Sequence, residues 1–304
     1  MEKKIVAFGE VVWDIFPTGR ILGGTPSNMA FRCNSFGEEG ILLSRVGNDE
    51  LGRLALERLA ELGISTCNIQ IDSVFPTGVV NITFDENNEP VYRVPTDVAF
   101  DHIEFTSEAL KLVRDADCLF FGLLPQRFGI SKNTIRELIK ESPASIKFFD
   151  LKLFHHFFNV GVVEELLSCS HIVRVKEKEI GFLIEKLHLD CKDIIEFGEA
   201  LTGKYNVQLV LFTRGKKGVM AFHKDEGVYA DSGYKVAKVD NVGSGMAFSA
   251  GFLHLYLHGQ SLQDALQFGN AAGALSTTKS GATSFFGMDD VLNFMEVTEK
   301  CNSE

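Results

Sequence analysis

Residues 100–213 of this sequence alternate short, predominantly apolar runs with segments of helical periodicity. The apolar runs cover residues 117–122, 145–150, 171–175 and 207–213, and helical patterns occur at 107–116, 131–141, 162–168 and 193–205. Strands that are apolar on both faces and separated by helices pair in parallel and are covered on both sides. The sequence therefore predicts an α/β fold, and polar residues beyond the carboxyl ends of these strands are the first candidates for a functional site.

Composition argues against several classes of partner. The chain has 304 residues and a formal net charge of −11. Nucleic acid and anionic membranes bind proteins through clustered Lys and Arg, so this charge argues against both partners. No apolar run approaches the roughly 18 residues of a membrane span. The six cysteines are scattered without a Cys-x-x-Cys pair, which argues against a cysteine zinc site and a disulfide framework. We therefore expect a cytoplasmic protein with reduced thiols and with no nucleic-acid or membrane partner.

A different pattern precedes residue 100. Residues 5–8 have the character of a short buried strand, residues 69–84 alternate loosely, and residues 91–94 follow a polar turn at 85–90. The last two segments are typical of exposed antiparallel strands. They predict a small sheet that covers a site as a lid, and the exposed edges of its strands favour a homodimer formed through the lid.

Residues 239–259 combine a glycine-rich loop with a helix. Gly243, Ser244 and Gly245 directly precede an apolar helical run that closes at Gly259. The free N–H groups of a first helical turn and the positive end of the helix dipole make such a loop an anion site. A tight connection explains the same pattern, so the loop needs support from the rest of the chain. A dinucleotide oxidoreductase is disfavoured, because Phe248 stands where its fingerprint has a third glycine.

Two groups of polar residues fall where ligand contacts are expected. Near the N-terminus, Asp14 stands among apolar neighbours, and Asn28 follows the turn Gly23-Gly24 in the first turns of a predicted helix. The other group lies at or just beyond the carboxyl ends of the predicted strands and comprises Asp150, Lys176, Glu179, Thr213 and Gly215.

Taken in order, these residues resemble the motifs of the ribokinase-like (PfkB) family of sugar kinases, most closely its fructokinase-like branch. The similarity spans nearly the whole chain, so it is more specific than any single motif. It includes Gly9-Glu10 with Asp14, Gly23-Gly24-x-x-x-Asn28, residues 45–52, Tyr92-Arg93, Phe121-Gly122 with Arg127, Thr213-x-Gly215-x-x-Gly218, residues 240–246, Asn270-Ala271-Ala272 and Gly281-Ala282.

The resemblance implies a fold and a reaction. The fold is a single ribokinase-like domain over residues 1–304, a three-layer sandwich with a mostly parallel central sheet. Its small antiparallel β lid comes from about residues 11–22 and 69–99. The reaction transfers the γ-phosphoryl of ATP, with Mg²⁺ bridging the phosphates, to a hydroxyl of a sugar held under the lid. The loop Gly243-Ser244-Gly245 then stabilises charge on the transferred group.

Motif positions also imply ligand contacts. Asp49 is a further candidate for a sugar hydroxyl. The implied substrate contacts are Asp14, Gly23, Gly24, Asn28, Arg93, Arg127 and Lys152; the nucleotide contacts are Lys176, Thr213, Gly215, Gly218 and Asn270; and Glu179 is the residue for metal-bound water.

Five positions depart from the family pattern, all in the expected cleft. Met246 stands where the family has its base, an aspartate, and a thioether does not accept the sugar proton. Lys176 replaces the asparagine of Asn-x-x-Glu, residues 150–154 lack the asparagine and arginine of Asp-x-Asn-x-Arg, and Asn241 replaces a threonine. Two functions remain open: a sugar kinase of reduced activity, or a catalytically inactive protein that binds sugar or nucleotide.

His254 and His258 lie four residues apart in the predicted helix, as a metal-binding pair does. They lack the Glu of a His-Glu-x-x-His motif, and the sequence points to no third ligand. We therefore interpret them as surface residues of the helix.

Overall fold

The computed structural model describes residues 1–17, 19–84, 90–142 and 145–301, and the turn expected at 85–90 lies, apart from Pro90, outside them. The described strands are Lys4–Phe8 (β1), Val12–Phe16 (β2), Gly19–Gly23 (β3), Glu39–Gly47 (β4), Ile69–Asp72 (β5), Gly78–Phe84 (β6), Pro90–Arg93 (β7), Cys118–Gly122 (β8), Ile146–Asp150 (β9), Ile172–Lys176 (β10), Leu209–Thr213 (β11), Val219–His223 (β12) and Gly227–Asp231 (β13). The described helices are Thr25–Ser35 (α1), Glu50–Glu61 (α2), Ser107–Arg114 (α3), Ser131–Lys140 (α4), Val160–Ser168 (α5), Ile180–Lys186 (α6), Ile194–Lys204 (α7), Ser244–Leu257 (α8), Leu262–Thr277 (α9) and Met288–Val297 (α10).

Nine strands form one large sheet in the order β13-β12-β11-β10-β9-β8-β1-β4-β5. All neighbours pair in parallel except β11–β12 and β12–β13, which form an antiparallel edge of the sheet. The apolar runs at 117–122, 145–150, 171–175 and 207–213 all fall on buried central strands. The predicted α/β architecture with a mostly parallel sheet is confirmed.

Helices cover both faces of this sheet. In β1, Ile5 and Ala7 belong to one apolar cluster, whereas Val6 and Phe8 belong to the other, because neighbouring residues of a strand point to opposite faces. The first cluster is completed by α1, α8, α9 and α10, and the second by α3 to α7. These are the three layers expected for the fold. In the described ranges, no helix has the length and apolar character needed to cross a membrane.

A separate four-stranded sheet, in the order β3-β2-β6-β7, forms the small sheet predicted as a lid. Its outer pairings are antiparallel, and the central pairing of β2 with β6 is parallel. Trp13 anchors this sheet to the body, because its indole N–H donates to the carbonyl of Leu51 in α2 at 2.9 Å. The expected lid boundary near residue 69 needs correction, since β5 pairs with β4 at the edge of the large sheet and the second lid segment begins at Gly78.

The order of the strands identifies the edge at which ligands are expected. β1 lies between β4 and β8 in the large sheet. The chain adds β4 and β5 on one side of β1, and later adds β8, β9, β10 and β11 on the other side. The crevice beyond the carboxyl ends of strands at such a switch point is the usual ligand site of an open α/β sheet. The segments that follow β1, β8, β9, β10 and β11 all emerge at this edge.

One glycine pair in α7 tests the packing of this helix on β12. A Cβ on Gly198 would lie 2.7 Å from Cβ of Phe222, whereas a Cβ on Gly203 would meet nothing within 4 Å. We expect Gly198→Ala to lower the free energy of unfolding by about 1–3 kcal/mol through overpacking. Gly203→Ala should leave it unchanged or raise it by up to about 1 kcal/mol. Urea denaturation of both variants measures the difference, and equal effects would contradict this packing.

Candidate active site

The glycine-rich loop forms the N-terminal end of α8. Gly243 has a left-handed backbone, with φ of 83°, and a Cβ there would lie 2.6 Å from Cα of Ala282. Only glycine meets both requirements. α8 begins at Ser244, and no side chain caps this end. The positive end of the helix dipole is therefore directed at the space in front of the loop, while the N–H groups of Ser244 and Met246 donate to the carbonyls of Asn241 and Gly243.

Asp240 and Arg32 hold the segments behind the loop. One carboxylate oxygen of Asp240 accepts the N–H of Val242 and the other accepts the N–H of Gly281, each at 3.0 Å. The buried guanidinium of Arg32, in α1, donates to the carbonyl of Ser284 at 2.9 Å and stacks over Phe286 at 3.7 Å. Burial lowers the pKa of Arg32 to about 10, so it remains charged at neutral pH. The glycine-rich loop therefore rests on a fixed segment.

Arg174 lies directly beneath the loop, and its role was not predicted. A Cβ on Gly245 would lie 3.0 Å from a guanidinium nitrogen of Arg174. Two guanidinium nitrogens lie 2.7 and 2.6 Å from Oδ1 of Asp150, and a third donates to the hydroxyl of Thr213 at 3.2 Å. The side chains of Arg174 and Asp150 are only 3% and 1% exposed. The one sequence signal was a charged residue inside an otherwise apolar strand.

Lys176, Glu179 and Lys152 surround this ion pair. The ammonium of Lys176 lies 3.9 Å from a carboxylate oxygen of Glu179. Burial lowers the pKa of Lys176; Glu179 opposes this shift, and the charges of Arg174 and Lys152 add to it. Burial raises the pKa of Glu179. Three cationic side chains therefore gather beside the glycine-rich loop, where phosphate charge would be neutralised.

Two carboxylate oxygens at this edge are left unpaired. Oδ2 of Asp150 and Oε2 of Glu179 are buried and accept no hydrogen bond within the described ranges. Carboxylate oxygens are the ligands that Mg²⁺ takes in proteins, either directly or through bound water. The donor set at the ends of β9 and β10 therefore fits the divalent ion implied by the sequence.

Two carboxylates on the expected sugar side, Asp14 and Glu10, lie within the electrostatic influence of Lys152. A Cβ on Gly23 would lie 2.5 Å from a carboxylate oxygen of Asp14, so the absence of a side chain there makes room for this carboxylate. Burial raises the pKa of Asp14, and the charge of Lys152 opposes the shift. Lys152 acts on Asp14 as well as on Lys176, so the lid carboxylate and the phosphate-side cations share one electrostatic environment.

Glu10, Gly24 and Asn28 complete this side. A carboxylate oxygen of Glu10 accepts the N–H of Thr25 at 3.0 Å, and a Cβ on Gly24 would collide with the carbonyl of Glu10. Burial raises the pKa of Glu10, and its second oxygen is unpaired within the described part of the chain. Asn28 is half-buried in the first turns of α1. Glu10, which the resemblance grouped with Asp14 through the motif Gly9-Glu10, is a second buried carboxylate on this side.

Met246 occupies the third position of α8 and is 5% exposed. Its side chain belongs to the apolar cluster between the large sheet and the helices α1, α8, α9 and α10. The position is therefore in the first turn of the anion-binding helix, but the side chain packs as a core residue. The methionine therefore fills space at the start of this helix.

The expected nucleotide contacts follow β11 and flank β13. Thr213 ends β11, and Gly215, with φ of 60°, has open space where a side chain would project. Gly218 is required because a Cβ would lie 2.1 Å from the carbonyl of Asp231. The amide of Asn270, in α9, donates to Asp231 at 2.6 Å and to the carbonyl of Ser232 at 2.8 Å. Asn270 therefore fixes the segment after β13. Gly215, which has no side chain, leaves open space in the turn after β11.

Arg127 is held within the protein, and Arg93 is exposed on β7. The guanidinium of Arg127 makes two hydrogen bonds to Asp101, at 2.8 and 2.9 Å, and a third to the carbonyl of Pro95 at 2.6 Å. Its side chain is 1% exposed, so this geometry positions the segment that leads from the lid to the body. Arg93 pairs through its backbone with Asn81.

Asp49 faces a different cavity. Its carboxylate caps α2 through the N–H of Gly52, at 2.7 Å, and also accepts the N–H and the hydroxyl of Thr77. It lines a cavity of about 360 Å³ that also contains Val79. Asp14 pairs with Val80, so these two side chains lie on the same face of the lid sheet. Val79 is the next residue along the strand and therefore points to the opposite face. The expectation that Asp49 contacts sugar hydroxyls is therefore not supported by its position.

The histidine pair has a neighbour that the sequence did not reveal. Glu38, which precedes β4, places a carboxylate oxygen 2.5 Å from Nδ1 of His254 and 2.8 Å from Nε2 of His258. The histidine pair therefore has the third potential ligand that the sequence did not reveal. Glu38 escaped notice because it lies 216 positions away from His254.

Comparison with known families now gives the site its context. The family model for pfkB family carbohydrate kinases matches residues 2–287. The chain belongs to this family. It is therefore a sugar kinase by family, and the predicted resemblance is confirmed.

Individual relatives agree along nearly their full lengths. PH1459 of Pyrococcus horikoshii, described as an uncharacterized sugar kinase, is 29% identical over 286 residues, which cover 91% of this chain and 87% of the relative. The alignment with its crystal structure covers 97% of this chain and 99% of the relative's chain, with a TM-score of 0.81. Ribokinase from Haemophilus influenzae is 26% identical and covers 90% of this chain and 87% of its own. Fructokinase with bound ATP from Xylella fastidiosa shares the fold, with a TM-score of 0.83 at 21% identity and coverage of 97% and 99%.

The ion pair beneath the loop can be tested by its effect on stability. Arg174→Met leaves the buried carboxylate of Asp150 without its partner, so we expect a loss of about 3–5 kcal/mol in the free energy of unfolding. The double variant Arg174→Met/Asp150→Leu removes both charges and should recover much of that loss. Guanidinium denaturation measures both proteins. A double variant that is no more stable than the single one would contradict the assignment of the loss to an unpaired charge.

Proposed function

We propose that this chain is an ATP-dependent, fructokinase-like kinase that transfers the γ-phosphoryl of ATP to a sugar hydroxyl, with low activity. The observation that carries the proposal is the position of Arg174 beneath Gly245. It adds a fixed positive charge to an uncapped helix end, and Asp14 lies across the cleft within the influence of Lys152. An anion and a polyhydroxyl ligand facing each other match phosphoryl transfer to a sugar.

Fixed positive groups supply most of the expected catalysis. Phosphoryl transfer depends on positioning and on stabilising charge that spreads over the transferred oxygens. The first-turn N–H groups of α8 would bind those oxygens, and Arg174 would raise the positive potential behind them. Lys176 and Lys152 would neutralise the remaining phosphate charge. Because Asp150 orients Arg174 before any ligand binds, little reorganisation is needed during the reaction.

The nucleotide and the metal ion would occupy the ends of β9, β10 and β11. Thr213 and the open turn at Gly215 would receive the phosphates, while Gly218 and Asn270 maintain the wall of the site. The unpaired oxygens of Asp150 and Glu179 would hold Mg²⁺ or its water ligands. When bound, Mg²⁺ would neutralise and orient the transferred phosphoryl group.

The sugar hydroxyl lacks an evident base. Met246 does not accept a proton, and both oxygens of Asp240 already accept backbone N–H groups. Loss of a positioned base typically reduces a rate by about 10²–10⁴-fold, whereas charge stabilisation by the loop and Arg174 would remain. This reasoning supports a slow kinase.

The burial of Met246 in an apolar cluster favours a second candidate function. In this alternative the chain binds a sugar or a nucleotide and performs no transfer. Calorimetric binding of a ketose or of ATP without ADP formation would support it. Turnover above background with any sugar in a panel of ketoses and aldoses would exclude it.

Replacement of Met246 tests the missing base. We expect Met246→Asp to raise kcat by up to about 10²–10⁴-fold, because it restores a carboxylate at the position where the family has its base. We also expect a lower melting temperature, since a carboxylate replaces a buried thioether. Coupled-enzyme assays of ADP release with a panel of sugars measure the rate.

Met246→Asn is the matched control, because it has the same shape as the aspartate and no basic oxygen. A rise in the aspartate variant alone supports the assignment of the base position. Equal rates in the two variants would show that proton removal is not what limits this protein.

The pH dependence of sugar binding tests the pairing of Asp14 with Lys152. The charge of Lys152 lowers the pKa of Asp14, so Lys152→Met should raise that pKa further. If ionised Asp14 accepts sugar hydroxyls, affinity falls as pH drops through its pKa, and in this variant the fall should begin at a higher pH. Calorimetric titrations of the best-bound sugar from pH 4 to pH 8 measure the shift. Lys152→Arg keeps the charge and should retain the original profile; a shift in both variants would contradict the electrostatic cause.

Two further proposals concern the state of the protein in the cell. The lid edges β3 and β7 and the exposed side chain of Ile21 on β3 support a homodimer formed through the lid. The six cysteines are free thiols, which supports a cytoplasmic location.

A further inference from the structure

Three side chains from distant parts of the sequence converge at the C-terminal end of α8. Glu38 lies just before β4, His254 belongs to the last turn of α8, and His258 follows that helix. Oε1 of Glu38 lies 2.5 Å from Nδ1 of His254 and 2.8 Å from Nε2 of His258. The potential ligand atoms of the three residues all lie within 4.8 Å of one another.

Neighbouring groups orient two of these side chains. Oε2 of Glu38 accepts the backbone N–H of Lys3 at 2.5 Å, which turns Oε1 toward both histidines. Nε2 of His254 lies 2.9 Å from the sulfur of Met288. A thioether only accepts hydrogen bonds, so in the tautomer that donates from Nε2 to this sulfur, Nδ1 presents its lone pair to Glu38. A ring N–H held by a second group in this way is the usual arrangement of a metal-binding histidine.

The convergence of these atoms suits a cation. Oε1 of Glu38 lies 2.5 Å from Nδ1 of His254 and 2.8 Å from Nε2 of His258, so it accepts an N–H from each ring or shares one positive ion with both. The side chain of Glu38 is only 2% exposed, so water does little to screen a charge at this point. One divalent ion would bind all three groups at once, in place of the two hydrogen bonds.

The donor set indicates which ion fits. Two imidazole nitrogens and one carboxylate oxygen suit Zn²⁺, whereas Ca²⁺ and Mg²⁺ prefer oxygen ligands alone. Zinc bonds of about 2.0–2.2 Å in a tetrahedron separate the donor atoms by about 3.3 Å. Rotation of the His258 ring, whose side chain is 31% exposed, would open its contact with Glu38 to that spacing, and the contact between Glu38 and His254 would have to open as well. The same exposure leaves a fourth position for water.

We propose that Glu38, His254 and His258 form a Zn²⁺ site that ties the end of α8 to the N-terminal edge of the large sheet. A cation there is favoured by the negative end of the α8 dipole. α8 has 14 residues, so about 20 Å of helix separates this site from the glycine-rich loop. The site is therefore distinct from the catalytic cleft, and its role is to fix the helix that carries the loop.

The test is zinc binding by the purified full-length protein after removal of metals with EDTA. We titrate Zn²⁺ alone against a chromophoric chelator of known affinity and follow the melting temperature in parallel. We expect one tightly bound equivalent and a rise in melting temperature with zinc. His258→Gln and Glu38→Gln should each weaken binding by at least about 100-fold and abolish the zinc-dependent stabilisation.

Two control variants separate this site from adventitious binding. His156→Gln removes an exposed histidine elsewhere, and Cys67→Ser removes an exposed thiol. Both should bind zinc as the unaltered protein does. His258 is partly exposed, so its variant should fold even where Glu38→Gln does not, and circular dichroism in EDTA verifies this. Absence of a tightly bound equivalent in the unaltered protein, or its persistence in His258→Gln, would overturn the proposal.

Discussion

The buried ion pair between Arg174 and Asp150 joins the ends of three neighbouring strands beneath the start of α8. Removing two charges from water is costly, and a well-packed apolar pair often stabilises a fold equally well. Its retention is therefore better explained by what it positions than by stability alone. The guanidinium holds a full charge behind backbone N–H groups that carry only partial charges. Every proposed contact to a transferred phosphoryl group depends on this fixed potential.

The fold was largely accessible from the sequence because the central strands are buried on both faces. Such strands are apolar on both faces, so the runs near residues 117–122 and 207–213 predict a parallel sheet. β5 was assigned to the lid because it lies at the edge of the large sheet, where its half-exposed pattern resembles that of a lid strand. The helices α6 and α10 were missed. α6 is only seven residues long and directly follows the charged segment 176–179, so it lacked a clear periodic signal.

The site was predictable where chain topology alone determines position. Parallel strands end at one edge, so Asp150, Lys176 and Thr213 were expected together, and the structure brings them together. Arg174 was not identified because its importance arises from contacts with Asp150 and Gly245, far from it in sequence. The same limit applies to Glu38, whose histidine neighbours are more than 200 positions away. Pairings of this kind depend on packing, and residue spacing does not encode them.

The single tryptophan of the chain gives the lid an intrinsic optical reporter. Trp13 lies in β2, its indole N–H is bonded to α2, and the guanidinium of Arg20 lies 5.3 Å from its ring centre. Indole emission responds to the polarity and hydrogen bonding of its surroundings. Because one side of this contact belongs to the lid and the other to the body, closure over a ligand would alter the fluorescence of one defined residue. The motion of the lid is therefore open to stopped-flow measurement on the unlabelled protein.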